Sequence, residues 1–116
     1  MAVEQVDYAD GEAALTGFLV RPQGTPKAAV LVLPTIANCN TPMIHRAHML
    51  ARAGYLAMVA DFYGVQVRDF DHARELAAPL RATPEGYRQR LRAGLAALTR
   101  NEAATGLPVA AIGYCM

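Results

Sequence analysis

The sequence predicts an α/β fold: a mostly parallel sheet with an N-terminal hairpin and flanking helices. Three observations carry this. The runs AAVLVL (28–33), LAMVA (56–60) and VAAIG (109–113) are continuously apolar, the pattern of strands covered on both faces. Apolar residues at helical spacing fill the intervals between them. Two alternating runs near the start flank Asp10-Gly11, a turn signal.

The elements follow in order. VEQVDY (3–8) alternates apolar and polar residues and reads as a strand, with ALTGFLV (14–20) as its antiparallel partner. Pro22, Gly24 and Pro26 end the hairpin. After the 28–33 strand, Pro34 opens a loop, TIANCN. Thr41 is a good N-cap, with Pro42 as first helical residue. Ile44, Ala47, Leu50 and Ala51 share one face of that helix, and Gly54 ends it. The unit is strand, loop, helix, turn, strand, a right-handed crossover by default.

Residues 61–70 read as a loop and 71–82 as a helix, broken or kinked at Pro79. Thr83-Pro84 repeats the cap signature, and Glu85 suits the positive end of a helix dipole. Tyr87, Leu91, Leu95 and Leu98 form the expected buried stripe of a helix running to about Arg100, with Arg88, Arg90 and Arg92 on a solvated face. Gly106 and Pro108 turn the chain into a third buried strand, 109–113.

Composition excludes several functions. Hydrophobic residues make up 53% and charged residues 18%, which is globular and not disordered. A net charge of +1 gives no field that favours nucleic acid or a membrane surface. The N-terminus carries acids early and has no apolar h-region, so no signal peptide is expected. No uninterrupted apolar stretch is long enough to span a bilayer. Two cysteines are too few for a disulfide scaffold, and a cytoplasmic setting is expected.

The chemistry concentrates at Val109–Met116, where an apolar strand runs into Gly113-Tyr114-Cys115-Met116. In a nucleophile elbow the reactive side chain sits on a tight turn from strand to helix, with small residues two before and two after it. Gly113 supplies the first, and the second would be residue 117. A cysteine is chemically apt, because the start of a helix lowers a thiol pKa. Half an elbow is a weak signal by itself, since a cysteine at a strand end is commonly an inert apolar residue. The preceding order of elements strengthens it, for hairpin, buried strand, helix, buried strand and helical excursion is the order that leads to the nucleophile of an α/β-hydrolase.

The segments AAVLVLPTIANCN, LARAGYLAMVADFYG and VAAIGYCM resemble successive blocks of the dienelactone hydrolase family. The resemblance implies an incomplete α/β-hydrolase fold, with 1–116 as the N-terminal part of a single domain. It implies hydrolysis of small-molecule esters or lactones through a Cys-Asp-His triad, with no metal and no organic cofactor. Cys115 matches the nucleophile. The backbone N–H groups of Met116 and Ile36 match the oxyanion donors. The triad Asp and His follow the nucleophile in the family, so they are expected beyond this chain; Asp61, Asp69, Asp71, His45, His48 and His72 all precede Cys115. One departure stands at Thr35, where the family typically carries a Glu that interacts with the resting cysteine. This puts dienelactone turnover itself in doubt and makes Thr35 a possible substrate contact. Arg68 and Arg74 fall in the excursion that overhangs the family's site, where a substrate carboxylate could meet them; a solvent-facing role is the simpler reading.

Other candidates have plainer readings. His45 and His48 have a metal-pair spacing, but no carboxylate or third histidine accompanies them. Cys39 could approach Cys115 as a redox pair, or be an ordinary loop thiol. Asp61 ends a strand at the sheet's carboxyl edge, where functional residues gather, and reads as a loop-structuring carboxylate. Two alternatives to the hydrolase remain: a non-catalytic α/β-hydrolase-like binding protein, and a flavodoxin-like domain, for which TIANCN lacks the glycines a phosphate loop wants. The 109–113 strand is expected at the sheet centre beside 28–33, with its other edge unpaired within these residues.

Overall fold

The computed structural model describes residues 2–114. Its five strands are β1 (Val3–Asp10), β2 (Ala13–Val20), β3 (Ala29–Leu33), β4 (Leu56–Val59) and β5 (Val109–Gly113). The helices are α1 (Thr41–Arg52), α2 (Phe70–Ala82) and α3 (Pro84–Arg100), with a short 3₁₀ turn at Glu102–Ala104. The sheet order is β1-β2-β4-β3-β5. Pairing is antiparallel across β1-β2-β4 and parallel across β4-β3-β5, so the sheet is mixed.

The apolar runs of β3 and β4 are explained by cover on both faces. Leu31, Leu56 and Met58 pack with Tyr8, Leu15, Leu19, Ala97 and Leu98 on one face. Val30, Val32, Ala57 and Val59 pack with Met43, Ala47 and Ala51 of α1 on the other. Alternation of side chains along a strand thus feeds two cores from one run of residues. On the α3 side the helix comes close at Gly94, where a Cβ would stand 3.4 Å from Ala60 Cβ and 3.5 Å from the Tyr8 hydroxyl.

Several expectations need correcting. The N-cap of α1 is Asn40, whose side chain accepts from Met43 N; Thr41 is already helical. Asn40 precedes the proline by two positions, which suits a cap whose oxygen must reach the N3 amide. Gly54, at φ +100, ends α1 as expected, with Tyr55 N bonded to Leu50 O and Gly54 N to Ala51 O. Helix α2 starts at Phe70 and runs unbroken through Pro79. Pro79 and Glu75 are both exposed, so water can take the carbonyl that the proline leaves without a donor.

In α3 the expected stripe drifts. Leu98 is buried with Gly94 and Ala97, but Leu95 is 39% exposed. Steps of four residues overshoot a helical turn by about 40° each, and two of them carry Leu95 away from Tyr87 onto the flank. Arg88 and Arg92 are exposed, whereas Arg90 is not on a solvated face. Its Nε donates to Asp10 Oδ2 at 2.8 Å and its Nη1 to the Phe62 carbonyl, tying α3 to the hairpin tip and to the loop after β4. Last, β5 is paired with β3 but is exposed at all five residues. It is not a buried strand within the described residues, because α1 and α3 cover β3 and β4 and leave β5 beyond their reach.

Candidate functional site

The parallel strands deliver two loops to one edge of the sheet. Leu33 ends β3 opposite Gly113 of β5. Tyr114 N then donates to Leu33 O at 3.1 Å, and the Tyr114 ring carries the Arg46 guanidinium 4.6 Å from its centroid, a cation–π contact with α1. Tyr114, the last described residue, therefore stands beside the loop that follows β3. Cys115 and Met116, the expected nucleophile and second oxyanion donor, lie outside the described residues.

The loop after β3 is a built turn. Asn38 N donates to Thr35 O at 2.8 Å, closing a four-residue turn with Ile36 and Ala37 at its centre. Thr35 Oγ1 accepts from Ala37 N at 3.3 Å, a local side-chain bond that hydroxyl residues make readily. A peptide bond is planar and trans, so fixing the Thr35 carbonyl inward points the Ile36 N–H the opposite way. Among the described residues that N–H has no partner. The Ile36 carbonyl, one peptide further on, accepts from the Tyr63 hydroxyl at 2.8 Å.

Asn38 closes this turn in the left-handed region, at φ 63, a conformation asparagine tolerates better than most residues. Its side chain is held at both ends. Nδ2 donates to Asp61 Oδ1 at 2.7 Å, and Oδ1 accepts from Phe62 N at 2.8 Å. Asp61 is 6% exposed and accepts three further bonds, from Thr16 N at 2.9 Å and from Tyr63 N and Gly64 N at 3.0 Å each. Asp61 N in turn donates to the Tyr8 hydroxyl at 3.0 Å. Asp61 is thus the loop-structuring carboxylate its strand-end position suggests. It joins the loops after β3 and β4 to the hairpin. Gly64 completes the arrangement at φ +75, where a Cβ would collide with the Ala14 carbonyl.

Burial pushes the Tyr63 phenol up to about 12, so it remains a donor throughout the neutral range. Burial, with a smaller contribution from the nearby Asp61 charge, pushes the Cys39 thiol up to about 12 as well. A thiol in that state is a poor nucleophile. Cys39 forms a shared wall between a hollow of about 280 Å³, bordered by Thr16, Phe18 and Gln66, and one of about 410 Å³ toward Arg68 and Phe70.

Of the residues singled out in the sequence, Thr35 and Ile36 sit together in the turn, and Arg68 borders the larger hollow. Arg74 stands apart, exposed on α2 with its guanidinium 5.9 Å from the Phe70 ring centroid. His45 is exposed and His48 partly so. Among the described residues no group of three His, Cys, Asp or Glu could hold a metal ion, and no helix is long and apolar enough to cross a membrane. Sequence reasoning gave no role to Asn38 or Tyr63. Only the left-handed tolerance of Asn at a loop end hinted at the first, and the second fell within the segment LARAGYLAMVADFYG that carries the family resemblance, with no chemistry assigned to it.

The hairpin, the parallel β4-β3-β5 core with its crossover helix, and two loops meeting at the carboxyl edge define an α/β-hydrolase-type chain. The profile of the dienelactone hydrolase family matches residues 15–116, and the chain belongs to that family. A crystal structure of a dienelactone hydrolase-like promiscuous phosphotriesterase from metagenomic libraries is similar over 98% of this chain and 49% of its own, at 32% identity and a TM-score of 0.90. A protein designated m3DLH matches over the same shares at 29% identity and 0.87. A dienelactone hydrolase from Anabaena variabilis shares the fold at 23% identity and 0.70, over 97% of this chain and 51% of that one. The chain spans about half the length of these structures. No curated protein matches.

Proposed function

We propose that the protein carrying this chain hydrolyses small-molecule carboxylic esters or lactones with Cys115 as nucleophile. The thiolate attacks the carbonyl carbon, and the carbonyl electrons move onto oxygen. The N–H groups of Ile36 and Met116 receive that oxyanion. Collapse breaks the bond to the alkoxy leaving group and forms a thioester, which water then hydrolyses to acid and free thiol. The proton relay requires a base, supplied in this reading by a His with its Asp from outside residues 1–116. No metal or organic cofactor takes part.

The observation that supports the reading best is the Ile36 N–H. A pinned turn directs it away from its own loop, and that loop lies beside the end of β5 at Gly113 and Tyr114. Cys39, the other thiol, is held in its neutral form by burial. The relative's description as a phosphotriesterase makes a p-nitrophenyl phosphotriester a second substrate class to try.

In the protein carrying this chain, Cys115→Ala and iodoacetamide should each abolish p-nitrophenyl acetate hydrolysis, and Cys39→Ala should retain it. Full activity in Cys115→Ala would overturn the assignment. Loss in Cys39→Ala alone would move the nucleophile to Cys39. The 116-residue chain by itself should show no turnover above its Cys115→Ala control.

A further inference from the structure

We infer that Tyr63 is a positioning residue for ester hydrolysis, its hydroxyl holding the Ile36 carbonyl so that the neighbouring N–H stays aimed at the developing oxyanion. The inference rests on the hydrolase reading above and adds a residue to it.

The geometry is specific. The Tyr63 hydroxyl donates to Ile36 O at 2.8 Å across a sequence separation of 27 residues. Ile36 lies between two anchored peptide planes. The plane before it is fixed by Asn38 N on Thr35 O at 2.8 Å. The plane after it is fixed by Tyr63. With both planes held, the two dihedrals of Ile36 have little freedom, and the direction of its N–H is set before substrate arrives. Oxyanion donors act through such preorganisation, since a donor that must rotate into place costs free energy at the moment of reaction.

Tyr63 is itself held. Its backbone N–H is bound to Asp61 Oδ1 at 3.0 Å, and its ring lies 6.2 Å from that of Phe62. The same carboxylate oxygen takes Asn38 Nδ2 at 2.7 Å. Both anchors of the turn thus refer to one buried group, Asp61. Asn38 and Asp61 also support the hairpin and the β4 loop, so their removal would disturb much more than the turn. Tyr63→Phe removes one hydroxyl and keeps the ring, which makes it the informative change.

In the protein carrying this chain, Tyr63→Phe should lower kcat for p-nitrophenyl acetate about 10-fold with KM nearly unchanged. That is less than the roughly 100-fold or greater loss typical of deleting an oxyanion donor outright. Binding of a trifluoromethyl ketone, whose carbonyl takes the Cys115 thiolate to form a tetrahedral oxyanion, should weaken by a similar factor. A competitive carboxylate product should bind as before. Rates are normalised to thiol titration with a burst substrate, so only folded enzyme is counted even if the variant melts earlier. Tyr55→Phe, in the turn between α1 and β4, serves as a control of unchanged rate. Wild-type kcat and ketone affinity in Tyr63→Phe, alongside a dead Cys115→Ala, would overturn the inference and leave the hydrolase reading standing. An active Cys115→Ala would overturn both.

Discussion

β4 and β5 flank β3, run parallel to it, and are built from equally apolar residues, yet their surroundings are opposite. Every residue of Leu56–Val59 is buried, and every residue of Val109–Gly113 is exposed. The difference lies in their neighbours. β4 has β2 on its far side and α1 and α3 across its faces. β5 has β3 on one side and, among the described residues, no strand on the other. Hydrophobicity selects a strand that tolerates a dry environment, and the packing of other elements decides whether it receives one. A third region contrasts with both: the polar network around Asp61, where hydrogen bonds and not apolar area hold the chain.

The network should be the most sensitive place. Asp61→Ala leaves the amides of Thr16, Tyr63 and Gly64 and the Asn38 side chain without their acceptor. At about 1–3 kcal/mol for each buried donor left unsatisfied, a loss of about 4 kcal/mol or more is expected in denaturant unfolding. A loss under about 1 kcal/mol would mean that water replaces the carboxylate and the network is not the anchor described.

Next comes the covered side of the sheet. Leu31 is 2% exposed, and Leu31→Ala should cost about 2–5 kcal/mol. Ile112, in register with Val32 of the same strand and 41% exposed, should cost well under about 1 kcal/mol when changed to Ala in the 116-residue chain. Equal costs at the two positions would remove the distinction between covered β3 and open β5 and place a cover over the latter.

The open edge has a consequence of its own. An exposed apolar strand with free N–H and C=O groups templates further pairing, so the 116-residue chain should sediment as oligomers. Ile112→Lys should shift it toward monomer. A monomeric parent chain in analytical ultracentrifugation would show that β5 is protected.

The smallest effect is on pH. Cys39 is raised from 9.0 to about 12, and Tyr8 and Tyr63 from 10.0 to about 12, each chiefly by burial. The folded chain therefore keeps protons that the unfolded chain releases first, and stability falls as pH rises from about 9 to about 12. Cys39→Ser with Tyr63→Phe should flatten this slope in urea titrations from pH 8 to 11. An unchanged slope would assign it to other groups. The same protonated state predicts slow alkylation of Cys39 at pH 8, measurable by mass spectrometry of the iodoacetamide-treated protein.

What the sequence determined by itself is the set of elements. Period-two alternation, continuous apolar runs and Thr-Pro or Gly signals are local properties, and a strand or helix answers to local chemistry within a residue or two; Asn40 instead of Thr41 as the cap of α1 is an error of that size. Asp61 at a strand end was legible for the same reason. Only the tertiary structure decided partnership. Arg90 reads as one of three surface arginines until Asp10 and the Phe62 carbonyl meet it from 80 and 28 residues away. Tyr63 and Ile36 carry no mutual signal, because the bond between them exists only once β3 and β4 lie side by side and bring their loops to one edge. The exposure of β5 belongs here too. An apolar side chain states a preference, but burial is a relation between surfaces far apart in the chain, and it exists only where another element arrives to cover it.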